Sequence, residues 1–562
     1  MNVFYEEDGS FKVASIMAEN PGSLQVEAPG GKRSKIKTAN VLMRFDSALS
    51  SFMEGVEQES QSLDVEFLWE CCGEPEFGFE SLAQEYYGAT PSPQQAAAVA
   101  VRLHGAPMYF YRKGKGRYKA APEENLKAAL ASQEKKRQRA ETIARYVEQL
   151  KNHQLPPEFA DRLDMLFYEP DKNTLEWKAL EQATDELQMS RLKLLEACGA
   201  ISSPHEYHLG AFLREYFPLG VQFPSHGPVS APADLPRAEA EAFSIDDSTT
   251  TEIDDALSVQ TLPDGNHRVG IHIAAPALGI LPGSELDSEA TKRLSTVYMP
   301  GNKITMLPES AIAPFSLQEG HWKPALSLYL DVAPDMSIVH RESKVELVHI
   351  KANLRHDALE PYFNEHTLQG PSEHPYWEQL TLLHKLAESL EKARGKHDPN
   401  RAPQLDYNFY VEDGRVRIVS RHRGSPMDKL VAELMIEANS QWGALLHVHN
   451  LPGIYRAQNN GKVYMTLKAE PHQGLGVSQY SWCTSPLRRM VDLVNQRQLI
   501  AILQEGNAPY PPGSETISDI MRNFDLAYNA YQEFQHRMER YWCLQYIRQE
   551  GMAEIDATVL RE

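Results

Sequence analysis

Apolar and polar residues alternate over the first 47 positions, as in Phe11-Lys-Val-Ala-Ser-Ile-Met17 and Ser23-Leu-Gln-Val-Glu27, with a break at Pro29-Gly-Gly31. A period of two puts successive side chains on opposite faces of a strand, so residues 1–50 are expected to form a small β-barrel. From Asp64 the spacing becomes helical, over Val65–Cys71, Phe79–Tyr87 and Pro93–Leu103, and a basic hairpin follows at Met108–Tyr118. Three helices and a hairpin predict a winged-helix domain over 60–121. Its third helix is mostly small and apolar, which suits packing better than base reading. Nucleic-acid contact is therefore expected from the hairpin, with protein docking as the alternative.

A long charged helix with Glu134, Lys135, Lys136, Arg137, Arg139 and Glu141 on its exposed faces opens a helical connector and linker over 122–235. Pro and Gly crowd 217–236, which places a domain boundary near 235. Beyond it strands come first, at Ala242–Ile245, Ala256–Thr261, Arg268–Ala274, Ala325–Val332 and Ser337–Ile350, and helices dominate later. The class is α+β, with one mixed domain over 236–556.

Composition narrows the class. Hydrophobic residues make up 42% and charged residues 24%, with no apolar run of transmembrane length, so a soluble protein with no membrane partner is expected. The start, Met1-Asn-Val-Phe-Tyr-Glu-Glu-Asp, lacks the basic and apolar regions of a secretory signal, which makes a cytoplasmic location the expectation. Cysteines 71, 72, 198, 483 and 543 are too scattered for a disulfide framework or a paired zinc site. A net charge of −21 argues against a protein that coats nucleic acid with its whole surface. Local basic runs would have to serve, at Lys32–Lys37, Arg112–Lys119, Lys135–Arg139 and Arg488–Arg489.

Two segments carry chemistry. Phe243-Ser-Ile-Asp-Asp-Ser-Thr-Thr-Thr-Glu-Ile-Asp-Asp-Ala256 puts carboxylates at 246, 247, 252, 254 and 255 between strand-like apolar residues. So many anions held at a sheet edge call for a hard divalent cation, Mg²⁺ or Mn²⁺, whose shell is completed by water and phosphate oxygens. The phasing is not that of an EF-hand, and a solvated acidic turn is the plainer alternative. The second segment, Ser485-Pro-Leu-Arg-Arg489, reads as the opening of a helix, with Ser as cap and Pro in the first turn. Two cations there oppose the helix dipole, which makes sense if an anion such as phosphate is held. The alternative is a pair of surface arginines bridging Asp492.

Six ordered motifs carry a resemblance: Asp246-x5-Glu252-x-Asp254-Asp255-Ala256, Arg268–Ala274, Gly283-Ser-x-Leu-Asp287, Ser295-Thr-Val-Tyr-Met-Pro-Gly301, Met306-Leu-Pro308 and Thr484–Arg489. Together, over about 236–556, they resemble the ribonuclease II/ribonuclease R family and its catalytic RNB domain, in the subset with an N-terminal winged helix. The resemblance implies a hydrolytic, Mg²⁺-dependent 3′-to-5′ exoribonuclease that draws in single-stranded RNA and releases nucleoside 5′-monophosphates, with Mn²⁺ as the other candidate ion. It implies metal ligation by Asp246, Glu252, Asp254 and Asp255. Asp254, Asp255 and Arg488 would be catalytic, with Arg488 neutralising charge on the phosphate. Tyr298, Glu433, Glu539 and Arg489 would contact RNA.

The chain also departs from the family pattern. Position 252 is Glu and position 275 is Ala where the family usually has Asp, so altered activity is an expectation. Ile555-Asp-Ala-Thr-Val-Leu560 resembles the first strand of a truncated or absent C-terminal S1-like barrel over 557–562. Two rival readings are a catalytically weak RNA-binding protein on the same fold, and a winged-helix DNA-binding regulator.

Overall fold

The computed structural model describes residues 1–88, 90–398 and 404–556. The chain divides into two compact units, Met1–Pro204 and His205–Glu562. That division precedes the expected boundary near 235. The reason is the helix Pro204–Tyr216: its Phe212 stacks on Phe534 with ring centroids 3.9 Å apart and lies in one apolar cluster with Phe217, Tyr531 and Met538. Aromatic burial thus assigns this helix to the second unit. The segment expected to begin an S1-like barrel, 557–562, lies outside the described residues.

In the first unit the alternating segment forms a five-stranded antiparallel sheet, in spatial order Arg33–Lys37, Ser23–Glu27, Ser10–Asn20, Asn2–Glu7 and Val41–Phe45. This is a sheet with two edges, in place of the expected barrel. Both faces of the sheet bury apolar side chains, and helices pack on one of them. Val3, Tyr5, Ala14, Leu24, Val26 and Ile36 cluster on one side, while Phe4, Val13 and Phe45 pack with Phe52, Val56 and Leu103 on the other.

Four helices follow, Phe52–Ser62, Val65–Glu70, Phe79–Tyr87 and Pro93–His104, then a hairpin, Phe110–Gly114 and Arg117–Ala120, in a three-stranded sheet with Phe77–Gly78. Ser92 and Gln95 close a capping box that starts the fourth helix, and Ala96 through Ala100 with Leu103 are buried. The 29-residue helix Glu123–Lys151 buries only Leu126, Tyr146, Val147 and Leu150, and shorter helices then pack around Trp177 and Leu180.

The second unit is built on a closed barrel. Its strands are β1 (Arg237–Asp246), β2 (Asp255–Thr261), β3 (His267–Ala274), β4 (Trp322–Val332) and β5 (Ile338–Arg355), and the order around it is β2-β3-β4-β5-β1. All pairings are antiparallel except β5 with β1. The strands are rich in β-branched and aliphatic residues, and Ile271, Ile273, Leu326, Leu328 and Val348 fill the core with at most 2% exposure. One layer inside the barrel is polar: buried His272 is gripped by Ser258 at 2.9 Å and Ser327 at 2.8 Å, and burial lowers its pKa to about 3, so the ring is neutral.

Helices Pro426–Val448, Met490–Leu503 and Glu515–Gln549 pack outside. The 490–503 helix is buried nearly all round, and its Asn495, Gln496 and Gln498 side chains bond to backbone that it braces. Gln496 donates to the Ala274 carbonyl at 2.8 Å and accepts from the Ala277 amide at 3.2 Å, which fixes this helix to one end of the barrel.

Candidate active site

The end where β1 stops at Asp246 and β2 starts at Asp255 carries the acidic stretch. The intervening loop is held by backbone contacts. Arg355 at the end of β5 donates to the Asp247 and Thr250 carbonyls at 2.9 and 3.3 Å, the Ile253 amide donates to Ser316 Oγ at 3.0 Å, and the Leu317 amide donates to the Ile253 carbonyl at 3.0 Å. The loop opens on a cavity of about 1640 Å³. Asp246, Glu252, Asp254, Asp255, Tyr298, Glu433 and Arg488 line it, as do Asp247, Lys303, His356, Arg421 and Lys429.

Asp254 is 4% exposed. Its Oδ1 accepts the Leu487 amide and its Oδ2 accepts Arg488 Nε, both at 3.0 Å. Burial pushes its pKa up to about 6, against the opposing pull of Arg488. Asp255 goes further, to about 8, through burial and then the charges of Asp246 and Asp254. Burial likewise raises Asp246, although Ser244 donates to its Oδ2 at 2.6 Å. Three carboxylates therefore share a volume in which their negative charge is poorly compensated.

The turn that meets them begins at Ser485, but helix geometry begins at Met490, not in the first turn after Ser485 as expected. Residues 485–488 form a tight turn in which Ser485 Oγ accepts from Arg488 Nη2 at 2.8 Å. This turn presents one backbone amide and one guanidinium to Asp254, and it leaves the Arg488 side chain 39% exposed to the cavity. Arg489 takes the other direction. It caps the helix, pairs with Asp492 at 2.8 Å and lies 4.3 Å over the Trp482 ring, outside the cavity lining. The surface-bridge alternative describes Arg489, though the pair is buried.

Tyr298 sits in a hairpin, Val297–Met299 with Asn302–Ile304, and faces Arg488 and Asp254. Burial raises its pKa to about 12, so its hydroxyl stays protonated. Glu433 reaches the cavity from the 426–448 helix, and Arg394 holds both of its carboxylate oxygens. Glu539 does not join them. It accepts from Gln535 Nε2 at 2.8 Å on the 515–549 helix, whose Tyr531, Phe534 and Met538 turn inward, and it is absent from the lining. Ala275, at the other family departure, is buried, and its amide donates to the Pro324 carbonyl at 3.1 Å.

Glu252 is ion-paired within the lining. Its Oε2 lies 2.6 Å from Lys303 Nζ, which also donates to Thr251 Oγ1 at 2.6 Å. Among the described residues no three His, Cys, Asp or Glu side chains converge into a ready ligand cage. The donor chemistry of Asp246, Asp254 and Asp255 still fits a hard cation, because burial raises all three carboxyl groups, and at Asp255 the charges of its two neighbours add to it, a cost that a divalent ion would relieve.

Sequence reasoning missed Lys303, Arg394, Arg421 and His356. Arg421 pairs with Asp247 at 3.2 Å, beside His356 at the mouth of the acidic loop. The signal for Lys303 was its place two residues beyond Gly301, in the strand that returns from the turn after Tyr298. Nothing local marked Arg394 or Arg421, which arrive from distant segments.

A family model described as the RNB domain matches residues 237–468 and 460–505. An uncharacterized ribonuclease of Synechocystis sp. is 28% identical over 89% of this chain and 80% of its own length. The exoribonuclease 2 of Proteus mirabilis is 28% identical over 50% of this chain and 53% of its own length, so the chain spans about half of that relative. An active-site mutant of the Dss1 exoribonuclease of Candida glabrata shares the fold with a TM-score of 0.60 at 17% identity, covering 98% of this chain and 89% of that one. No helix of the described residues is long and apolar enough to cross a membrane. The span matched by the family model holds the whole barrel and both arms of the acidic site, and this part of the chain is an RNB domain of the ribonuclease II/ribonuclease R type.

Proposed function

We propose that this cavity hydrolyses the terminal phosphodiester of single-stranded RNA in the 3′-to-5′ direction, with Mg²⁺ or Mn²⁺, and releases nucleoside 5′-monophosphates. The observation that carries the reading is the placement of Asp254 and Asp255 in a cavity beside Arg488, with carboxyl groups raised to about 6 and about 8. Perturbed acids beside a cation in a cleft mark a site arranged for chemistry. Asp246, Asp254 and Asp255 would hold the metal, which when bound supplies Lewis acidity and a deprotonated water at neutral pH.

The chain's own residues do the rest. Arg488, fixed by Asp254 and Ser485, keeps a guanidinium at the cavity wall where phosphate charge would develop. The Tyr298 ring offers a face on which a terminal base can stack whatever its identity. Clamped by Arg394, Glu433 keeps an acceptor in the cavity wall for a nucleotide hydroxyl.

Mycoplasma genitalium ribonuclease R has been solved with double-stranded RNA, at a TM-score of 0.51 to this chain. In the first unit, the 110–120 hairpin is the surface for a further nucleic-acid contact of a winged-helix type. Linear and circularised forms of one RNA, each incubated with the protein and Mg²⁺, test direction and end dependence together. Mononucleotides from the linear form alone, with intermediates that retain a 5′ label, are expected. Cleavage of the circle would overturn the exonuclease reading.

A further inference from the structure

We propose that Glu252 is a positioning residue in this chain and not a cation ligand: with Lys303 it latches the Tyr298 hairpin to the acidic loop. The inference rests on the cavity being the metal-dependent ribonuclease site described above. Lys303 Nζ lies 2.6 Å from Glu252 Oε2 and 2.6 Å from Thr251 Oγ1, so one ammonium grips two successive residues of the loop. The Glu252 side chain is 7% exposed and that of Lys303 30%, so water screens the pair little. An ammonium this close supplies the positive charge a cation would bring, and it repels a divalent ion from the same oxygen.

Register gives the pair its purpose. Lys303 is the direct cross-strand partner of Tyr298, so fixing Lys303 fixes the strand that carries the ring. The other side of the hairpin is pinned at its turn: Gly301 has φ +77°, and a Cβ there would lie 2.7 Å from Val411 Cβ. Held at both sides, Tyr298 keeps its place against Arg488 and Asp254. The longer Glu side chain suits this role, since an Asp at 252 would end about one bond short of Lys303.

Titration calorimetry with Mn²⁺ alone separates ligand from latch. Glu252→Gln, which still accepts a hydrogen bond from Lys303, is expected to change the Mn²⁺ dissociation constant by less than about threefold, whereas Asp255→Asn weakens it about tenfold or more. Lys303→Met is expected to lengthen the final product on a 5′-labelled RNA, as Tyr298→Ala does, with Lys303→Arg restoring the wild-type length. Glu252→Ala combined with Lys303→Met should lengthen it no further than either alone. Mn²⁺ affinity lost in Glu252→Gln to the extent lost in Asp255→Asn would overturn the proposal, as would an unchanged product length in Lys303→Met. If Asp255→Asn leaves Mn²⁺ affinity intact, the metal-site reading fails, and the product-length comparison still decides the latch.

Discussion

The basic hairpin at 110–120 and the turn at 485–489, with Arg488 and Arg489, are both positively charged in sequence, yet they place charge in opposite ways. In the hairpin, Lys113 and Arg117 reach Glu76 only at 4.0 and 3.9 Å, with 41–55% of each side chain exposed, so the charges stay solvated and interchangeable. In the turn, Arg488 is held at 3.0 Å by a carboxylate that is 4% exposed, and backbone geometry at Leu487 locks the same carboxylate from a second side. Charge density in sequence is therefore a poor guide to chemistry. What separates the two regions is whether the fold removes water and fixes each charge from more than one direction.

The contrast can be broken at the buried end first. Asp254→Asn should abolish RNA cleavage in a gel assay while leaving RNA retention on filters close to wild type, because it disturbs the cation site and not the cavity walls. Arg488→Ala should lower kcat by about 10²–10³, the usual cost of losing one preorganised donor at a site of developing charge. Tyr298→Ala should weaken binding of short oligonucleotides by about 1–3 kcal/mol, the worth of one base stack, and lengthen the final product.

A pH series sharpens the comparison. The folded pKa of Asp255 is raised to about 8 from the ordinary 3.8, so the metal-free folded state binds the extra proton between those values and loses stability as pH climbs through that window. Asp255→Asn removes this loss. Its melting temperature relative to wild type should rise from pH 5 to pH 8 in EDTA, and saturating Mn²⁺ should shrink the gap. At the solvated end, Lys113→Ala and Arg117→Ala should each change unfolding free energy by less than about 1 kcal/mol in urea titrations.

Much of this was legible in the chain. Each barrel strand overlaps a run expected as strand, although Arg237–Asp246 and Ile338–Arg355 reach further than expected, and the acidic stretch sits at the barrel end because β1 and β2 flank it. Other features depended on tertiary context. The sequence of residues 485–489 reads as a capped helix, but Asp254 claims the Leu487 amide and Asp492 claims the Ser485 amide, which draws the chain into a turn and delays the helix to Met490. The early boundary at Pro204 reflects aromatic packing across more than three hundred residues, invisible to local spacing. The Glu252–Lys303 ion pair joins two segments fifty-one residues apart, which no local spacing signals. Glu539 lies outside the cavity lining, on a helix whose phase Met538 fixes from the buried side.

Single-turnover cleavage of a 5′-labelled single-stranded RNA by wild type and Asp254→Asn, in Mg²⁺ and again in EDTA, tests the central claim most directly. A ladder shortening from the 3′ end, seen only for wild type in Mg²⁺, is the predicted result. Undiminished cleavage by Asp254→Asn, or by wild type in EDTA, would contradict the account.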